Sequence, residues 1–389
     1  MSKTNLLGLN EEELSDFIEE IGESRYRGRQ IFQWLYEKGA GNINDITVLG
    51  KALRNDLDTV ATITSITPVT RQQATGDGTT KFLFSLRDGA RIESVLIPPA
   101  SAFREADATD DDEQKRLTLC VSTQVGCPLD CSFCATATMG FVRNLDAGEI
   151  VDQILQIRRS TGKKITNVVF MGMGEPMMNY DNVMKAAGLM TTGIGIAARR
   201  ITVSTAGWAD KIRQMGEEEQ RVKLAVSLHS ADERTRTALM PITKRFGLDA
   251  LMSAIDFYYA RTKQRVTYEY IFFDGINDSD TDVRKLISLA RRVPCKINVI
   301  PFHSIDHAAA LQRHATLRRS PRVDAIVERL RSSDLSVFVR SSAGEGIDAA
   351  CGQLAVRTER MQRTARAGRT SLSQGSNSPV EVPARRNPA

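Results

Sequence analysis

Three thiols at Cys127, Cys131 and Cys134 stand in the spacing C-x-x-x-C-x-x-C, directly after the apolar run Leu117–Val125. Three cysteines bunched this tightly behind a strand can all turn inward from one loop. That suits a cubane iron–sulfur cluster in which three irons take thiolates and the fourth keeps an open position for chemistry. A zinc site would want a further ligand pair at finger or ribbon spacing, and a second C-x-x-C is absent from the chain. A thioredoxin-like redox pair at Cys131-Ser-Phe-Cys134 would leave Cys127 idle and lacks the helix-opening context of that motif. A cluster is the reading that uses all three thiols.

Such a loop needs a frame, and beyond Arg116 strand-like and helix-like patterns alternate at regular spacing. The expected strands are Leu117–Val125, Ile165–Met173, Arg200–Ala206, Lys223–His229, Arg265–Phe273 and Lys296–Pro301, with helices near 147–159, 181–192, 210–216, 248–262, 281–292 and 321–332. Six β/α units predict an α/β fold built on a parallel barrel, open or closed. Barrels of this kind place chemistry at the C-terminal ends of their strands, and the informative residues fall there. The thiols follow the first strand, and Gly172-Met-Gly-Glu-Pro176 ends the second, offering backbone carbonyls and the Glu175 carboxylate to an ammonium group. Ser204 lies on the third strand, His229 ends the fourth, and His303 follows the sixth. Gly172 and Gly174 could instead relieve a tight turn, and His229 could be a satisfied core histidine. Cys295 reads as structural.

Ahead of the barrel, Asn10 and Glu13 resemble a capping box, with Leu14, Phe17, Ile18 and Ile21 on one helical face. Arg25, Arg27 and Arg29 then interleave with Tyr26, Trp34 and Tyr36. Basic groups and stackable rings suit RNA, although Trp34 and one tyrosine serve equally well as core of a small helical domain ending near Leu57. From Ile63 to Pro98 the pattern alternates, and Asp88-Gly89 between Thr80–Leu86 and Arg91–Ile97 signals a hairpin. Glu93, on its second strand, reads as a solvent-facing residue. Ala100 to Arg116, with Asp107 and Asp110 to Asp112, reads as a polar, acidic surface connection.

With 389 residues and 41% apolar content the chain can bury a large core. No run of about 18 apolar residues is present and the N-terminal Met1-Ser-Lys-Thr-Asn-Leu-Leu lacks a signal-peptide pattern, so the expectation is a cytoplasmic protein with no membrane partner. Six cysteines, three of them clustered, fit a reducing compartment better than a disulfide framework. The net charge of +5 is local: Val356 to Ala389 carry seven Arg against two Glu. Arg357, Arg360, Arg363, Arg366 and Arg369 recur every third residue, which on a helix draws a slowly drifting basic stripe fitted to phosphates. The expected organisation is a helical RNA-binding accessory domain at 1–62, a hairpin and acidic linker at 63–116, the barrel at 117–345, a segment with Cys351 and a basic helix at 346–365, and a disordered basic tail at 366–389.

The three-cysteine loop with Phe133, followed by Gly-Glu-Pro at the second strand, resembles the radical S-adenosylmethionine superfamily. More narrowly, Thr118-Leu-Cys-Val-Ser-Thr-Gln-Val-Gly-Cys127, Val168-Val-Phe-Met-Gly-Met-Gly-Glu-Pro176 and Asp348-Ala-Ala-Cys-Gly-Gln-Leu354 are similar to the family of dual-specificity 23S rRNA and tRNA adenine C2 methyltransferases. The similarity runs from the N-terminal helices to about Arg357. It implies a partial (β/α)6 TIM-like radical SAM barrel with a small N-terminal helical domain and a β-hairpin extension. It also implies a [4Fe-4S] cluster on Cys127, Cys131 and Cys134, and two S-adenosylmethionine molecules per turnover. One would methylate Cys351 by displacement. The second would be cleaved to a 5′-deoxyadenosyl radical that takes hydrogen from the methylated cysteine, whose carbon radical adds to adenine C2. By the same resemblance Cys120 resolves the protein–RNA adduct through a disulfide with Cys351, and Glu93 removes the C2 proton. Cofactor contacts fall on Gly174, Glu175, Ser204, Ser227, Leu228, His229 and on His303, which stands where the family has Asn. The implied partners are adenosine 2503 of 23S rRNA, adenosine 37 of certain tRNAs, and an electron donor such as flavodoxin, with the chain a monomer. Two alternatives stay open: an adenine C8 rRNA methyltransferase of the same family, and a non-enzymatic iron–sulfur RNA-binding or redox-sensing protein.

Overall fold

Strands buried on both faces need apolar residues at consecutive rather than alternate positions, and Val168, Val169, Phe170 and Leu224, Ala225, Val226 are such runs, all buried. The computed structural model, which describes residues 3–99, 116–303, 317–340, 344–350 and 352–354, assembles them into a ten-stranded sheet. Its strands are β1 Ile66–Gln73, β2 Thr80–Leu86, β3 Arg91–Ile97, β4 Thr118–Cys120, β5 Asn167–Phe170, β6 Ile201–Thr205, β7 Lys223–Ser227, β8 Val266–Tyr270, β9 Cys295–Val299 and β10 Val337–Val339. Spatial order follows chain order, and β4 to β10 are parallel. All six predicted strands are therefore present, and a seventh parallel strand of three residues, β10, extends them. Three apolar residues with no recognisable turn around them are too short a signal to read from sequence. Cys351, most of the acidic connection and the stripe from Arg357 to Arg369 lie outside the described residues.

The hairpin is part of the same sheet. Asp88-Gly89 closes it, with Gly89 at φ 80° and its N–H donating to the Leu86 carbonyl. β1 adds a third antiparallel strand, while β3 pairs antiparallel with β4. β2 alternates buried and half-buried residues along its length, as an antiparallel strand with one packed face does.

The predicted first barrel strand is broken, and this decides where the cysteines sit. Thr118–Cys120 stays in the sheet, whereas Gln124–Gly126 swings away to pair antiparallel with Phe141–Asn144. Gly126 permits the turn: at φ 74°, a Cβ there would lie 1.8 Å from the Gly140 carbonyl oxygen. Gly126→Ala is expected to cost roughly 3 kcal/mol or more, because the obstacle is backbone. It should lower both the melting temperature and the iron retained per chain; unchanged values in both would show that the ribbon can part without harm.

Helices cover the strands, with ends set by local chemistry. Among them, Ala147–Thr161 starts at a reciprocal capping box, Asp146 with Glu149, and stops at Gly162 in the left-handed conformation. The N-terminal helices Glu11–Glu20, Tyr26–Phe32 and Lys51–Val60 bury Leu14, Ile18, Ile31, Leu53 and Leu57, each such side chain contributing roughly 1.5–3 kcal/mol. Asn10 and Glu13 do form the reciprocal box. Tyr36 is core, its hydroxyl accepting from Gly8 N–H and donating to the Leu9 carbonyl, both at 2.9 Å. Tyr26 remains 57% exposed beside Arg27, whereas Arg25 is held by Asp16 and Glu19. One ring of the pattern, Tyr36, is thus structural, while Tyr26 stays open to solvent.

Candidate active site

The ends of β5, β6, β7 and β8 and the cysteine loop enclose a cleft of about 830 Å³, counting its open mouth. Cys127, Cys131 and Cys134 all border it, as do Gly174, Glu175, Ser204, Ser227 and His229. Residues from four strands meet there because parallel strands end at one level. Leu228 is fully buried and His303 is half-buried; neither side chain is among those bordering the cleft. His303 and His307 do share an H-x-x-x-H spacing that a zinc reading could draw on, but His307 lies outside the described residues.

Burial pushes the Cys127 thiol up to about 12, helped by Cys134 and Glu175, and raises Cys131 well above the ordinary thiol value. On its own the protein keeps these groups neutral, so only bound metal charge would draw off their protons. The thiols border a void, and among the described residues no three His, Cys, Asp or Glu converge on one metal-ion point. A cubane presents three separate irons to three separate thiols and fits such an arrangement.

Gly172 and Gly174 allow the second strand's end to press against the first. A Cβ on Gly172 would sit 2.7 Å from the Val121 carbonyl oxygen, and one on Gly174, at φ 106°, 2.6 Å from Gln124 Cβ. This close approach seats Glu175, whose Oε1 accepts from Met177 N–H at 3.0 Å and Oε2 from Ala206 N–H at 2.8 Å. Burial nonetheless raises its pKa, and among the described residues it has no ion-pair partner. A carboxylate has lone pairs to spare beyond these bonds, so the position is ready for a cation.

His229 holds a left-handed backbone at φ 51°, over-determined by Asn277, whose side-chain amide donates to the His229 and Ile271 carbonyls at 2.6 and 2.8 Å. Its Nδ1 accepts from Ile271 N–H at 3.1 Å, and burial first, then Arg236, lowers its pKa to about 3. The ring is therefore neutral with the proton on Nε2, a fixed donor beside the cleft. Phe133 meets it edge-on at 4.5 Å.

Glu93 and Cys120 lie next door rather than in the cleft. Cys120 is opposite Val95, so it shares a sheet face with Glu93, and Lys81 is opposite Val95 on the other side. Glu93 is only 6% exposed, contrary to the solvent-facing expectation, because the sheet face is covered. Lys81 lies 3.5 Å from its carboxylate and donates to the Asp348 carbonyl at 3.2 Å. The chain then returns to the cleft: Gly352 borders it, and its carbonyl accepts from Ala135 N–H at 2.6 Å. Residues flanking Cys351 thus touch both the cluster loop and Lys81 of the Glu93 face. Cys295 is structural, with Sγ donating to the Ala290 carbonyl.

Sequence reasoning missed Glu269, Asn277 and Arg236. Glu269 borders the cleft at 3% exposure, taking a hydrogen bond from Asn298 at 2.9 Å and an ion pair from Arg340 at 3.6 Å. A charged residue inside an otherwise doubly buried strand was the available signal.

Comparison with known proteins decides what this arrangement belongs to. Residues 4–63 match the family described as ribosomal RNA large subunit methyltransferase N-terminal domain, and residues 121–287 match the radical SAM superfamily. A probable dual-specificity RNA methyltransferase RlmN of Flavobacterium psychrophilum is 41% identical over 91% of this chain and 98% of its own length. The dual-specificity RNA methyltransferase RlmN of Syntrophobacter fumaroxidans is 40% identical over 88% of this chain and 95% of its own. The crystal structure of a radical SAM methyltransferase from Sphaerobacter thermophilus superposes with a TM-score of 0.80 at 40% identity, covering 90% of this chain and 98% of that one. The chain belongs to the RlmN family of dual-specificity RNA methyltransferases. As radical SAM members, RlmN-family proteins use S-adenosylmethionine and a [4Fe-4S] cluster. The three thiols and the unpaired Glu175 suit that pair of groups, and the first helices coincide with the RlmN-family N-terminal domain. Among the described residues no helix is long and apolar enough to cross a membrane.

Proposed function

We propose that this protein methylates carbon 2 of adenosine in 23S rRNA, at position 2503, and in certain tRNAs, at position 37, through a cysteine-borne methyl and a covalent protein–RNA intermediate. The observation that carries the reading is Gly352 at the cleft: the residue after Cys351 borders the same space as the three thiols and Glu175. Adenine C2 lies between two ring nitrogens and is too electron-poor to attack a sulfonium methyl, so ordinary displacement onto the base is closed.

Cys127, Cys131 and Cys134 would hold the cluster, and Gly174, Glu175, Ser204, Ser227 and His229 would hold S-adenosylmethionine. When bound, these groups supply an electron and a carbon radical able to break a methyl C–H bond; two S-adenosylmethionine molecules are used per turnover. The chain's own part is orientation and proton handling. Glu175 takes the ammonium end, and His229 donates from Nε2 to a ring or ribose acceptor. Leu228 would contribute backbone alone, and His303 would contribute from outside the present lining of the cleft. Glu93, with Lys81 beside it, removes the C2 proton, and the Cys120 thiolate on the same face attacks the Cys351 sulfur, forming a disulfide as the S–C bond breaks and its electron pair passes to the departing carbon, which is protonated to the C2 methyl.

The target base must leave its stack to reach the cleft; Tyr26 and Arg29 would contact RNA, and the arginines from Arg357 would contact its phosphates. We further propose a monomer in the cytoplasm, supplied by a flavodoxin-like donor, with domain limits near residues 62, 116, 345 and 365. The test is anaerobic reconstitution with S-adenosylmethionine, reductant and unmodified 23S rRNA fragment or tRNA, then mass spectrometry of the nucleosides. 2-Methyladenosine is the expected product. 8-Methyladenosine alone would move the chain to the C8 reading, and no methylation with an intact cluster would leave an iron–sulfur RNA-binding protein.

A further inference from the structure

Among the described residues, Arg236 is the largest fully buried side chain. It lies on the helix Glu233–Leu239 and donates only to uncharged acceptors: the Ala206 carbonyl at 2.5 Å, the Ser227 and Leu228 carbonyls at 3.2 Å each, and the Thr243 hydroxyl at 2.7 Å. Among the described residues it has no ion-pair partner. A guanidinium stripped of water and given no carboxylate is an unfavourable arrangement unless an anion arrives from elsewhere. Its surroundings say from where. Ala206 and Ser227 border the cleft. Ser132, between Cys131 and Phe133, is bonded through its N–H and its hydroxyl to the carbonyl of Leu239, three residues beyond Arg236 on the same helix.

We propose that Arg236 is the built-in counter-cation of the cluster, a positioning residue that sets its reduction potential and ties its loop to the ends of β6 and β7. A cubane held by three thiolates is anionic, and reduction adds another negative charge. A fixed positive charge in a low-dielectric wall favours the reduced form more than the oxidised one, and so raises the potential. Guanidinium suits the task because it cannot shed its proton and its fork reaches three carbonyls at once. The inference rests on the cluster assignment of Cys127, Cys131 and Cys134, so iron and sulfide content of the wild-type chain is measured first; failure there would remove the assignment and the inference with it, whereas a failure confined to the Arg236 variants would leave the assignment standing.

The experiment is a redox titration of the reconstituted full chain, followed by electron paramagnetic resonance, for wild type, Arg236→Gln and Arg236→Lys. In Arg236→Gln the equilibrium constant for one-electron reduction is expected to fall about tenfold or more, a drop of ~59 mV or more. Arg236→Lys should stay near wild type. An unchanged potential in a folded, cluster-bearing Gln variant would overturn the proposal. Should the Gln variant fail to retain the cluster, the Lys variant decides: recovery with a wild-type potential supports the charge, whereas loss of the cluster or a drop of ~59 mV or more assigns Arg236 to holding the three carbonyls alone.

Discussion

Cys351→Ala is expected to abolish methyl transfer to RNA, a loss on the order of 10³-fold or more, while iron and sulfide content stay at the wild-type level. The second half of this expectation follows from how the flanking residues are held. Gly352 is fixed by Ala135 N–H at 2.6 Å, Leu354 by the Thr136 hydroxyl at 2.6 Å, Ala349 by Gly344 at 2.9 Å and Asp348 by Lys81 at 3.2 Å. Each bond uses backbone carbonyls or N–H groups of the segment, so the substitution takes away a sulfur and leaves the anchoring in place. The first half follows from the base: C2 is electron-poor and needs a carbon delivered by the protein. Nucleoside mass spectrometry and iron analysis on the same preparation check both halves. Methylation at a rate comparable with wild type would remove Cys351 as the carrier, and loss of iron would mean that the segment helps build the cluster site.

Much of this arrangement was legible because it is written in spacing. The three thiols, Gly-Met-Gly-Glu-Pro and the period of the β/α units depend on local order, and the structure places them where strand ends converge. What escaped depends on contacts between distant parts of the chain. Glu93 reads as an ordinary alternating strand residue until the sheet face it occupies is covered by residues near Asp348, far away in sequence. Gln124–Gly126 continues the apolar run of the first strand, and only the meeting of Gly126 with Gly140 takes it out of the sheet. Arg236 looks like one more charge in Asp-Glu-Arg-Thr-Arg, a solvated helix face by any local rule. Its burial is decided by the carbonyls of β6 and β7 that it serves. Tyr36 and Tyr26 carry the same composition signal, and only tertiary packing separates the core ring from the exposed one.

Glu175→Gln should weaken S-adenosylmethionine binding between about 30-fold and a few thousandfold, as measured by anaerobic equilibrium dialysis. The carboxylate is 3% exposed and has no cation partner among the described residues. Removing one partner of a buried, hydrogen-bonded charge pair costs roughly 2–5 kcal/mol, and each 1.4 kcal/mol is about tenfold. Glutamine keeps the shape and discards the charge. It also changes the hydrogen bonding, because Oε1 and Oε2 each accept a backbone N–H, from Met177 and Ala206. A carboxamide turns an N–H₂ toward one of these donors, at a cost of about 1–3 kcal/mol to the fold. The two effects separate experimentally: the second appears in the melting temperature without ligand, and the first in affinity. Glu175→Asp provides the comparison, since it keeps the charge but withdraws it from the cleft. An unchanged affinity in a folded Gln variant would place the methionine end of the cofactor away from Glu175. A loss shared equally by Gln and Asp would point to position rather than charge as what the site requires.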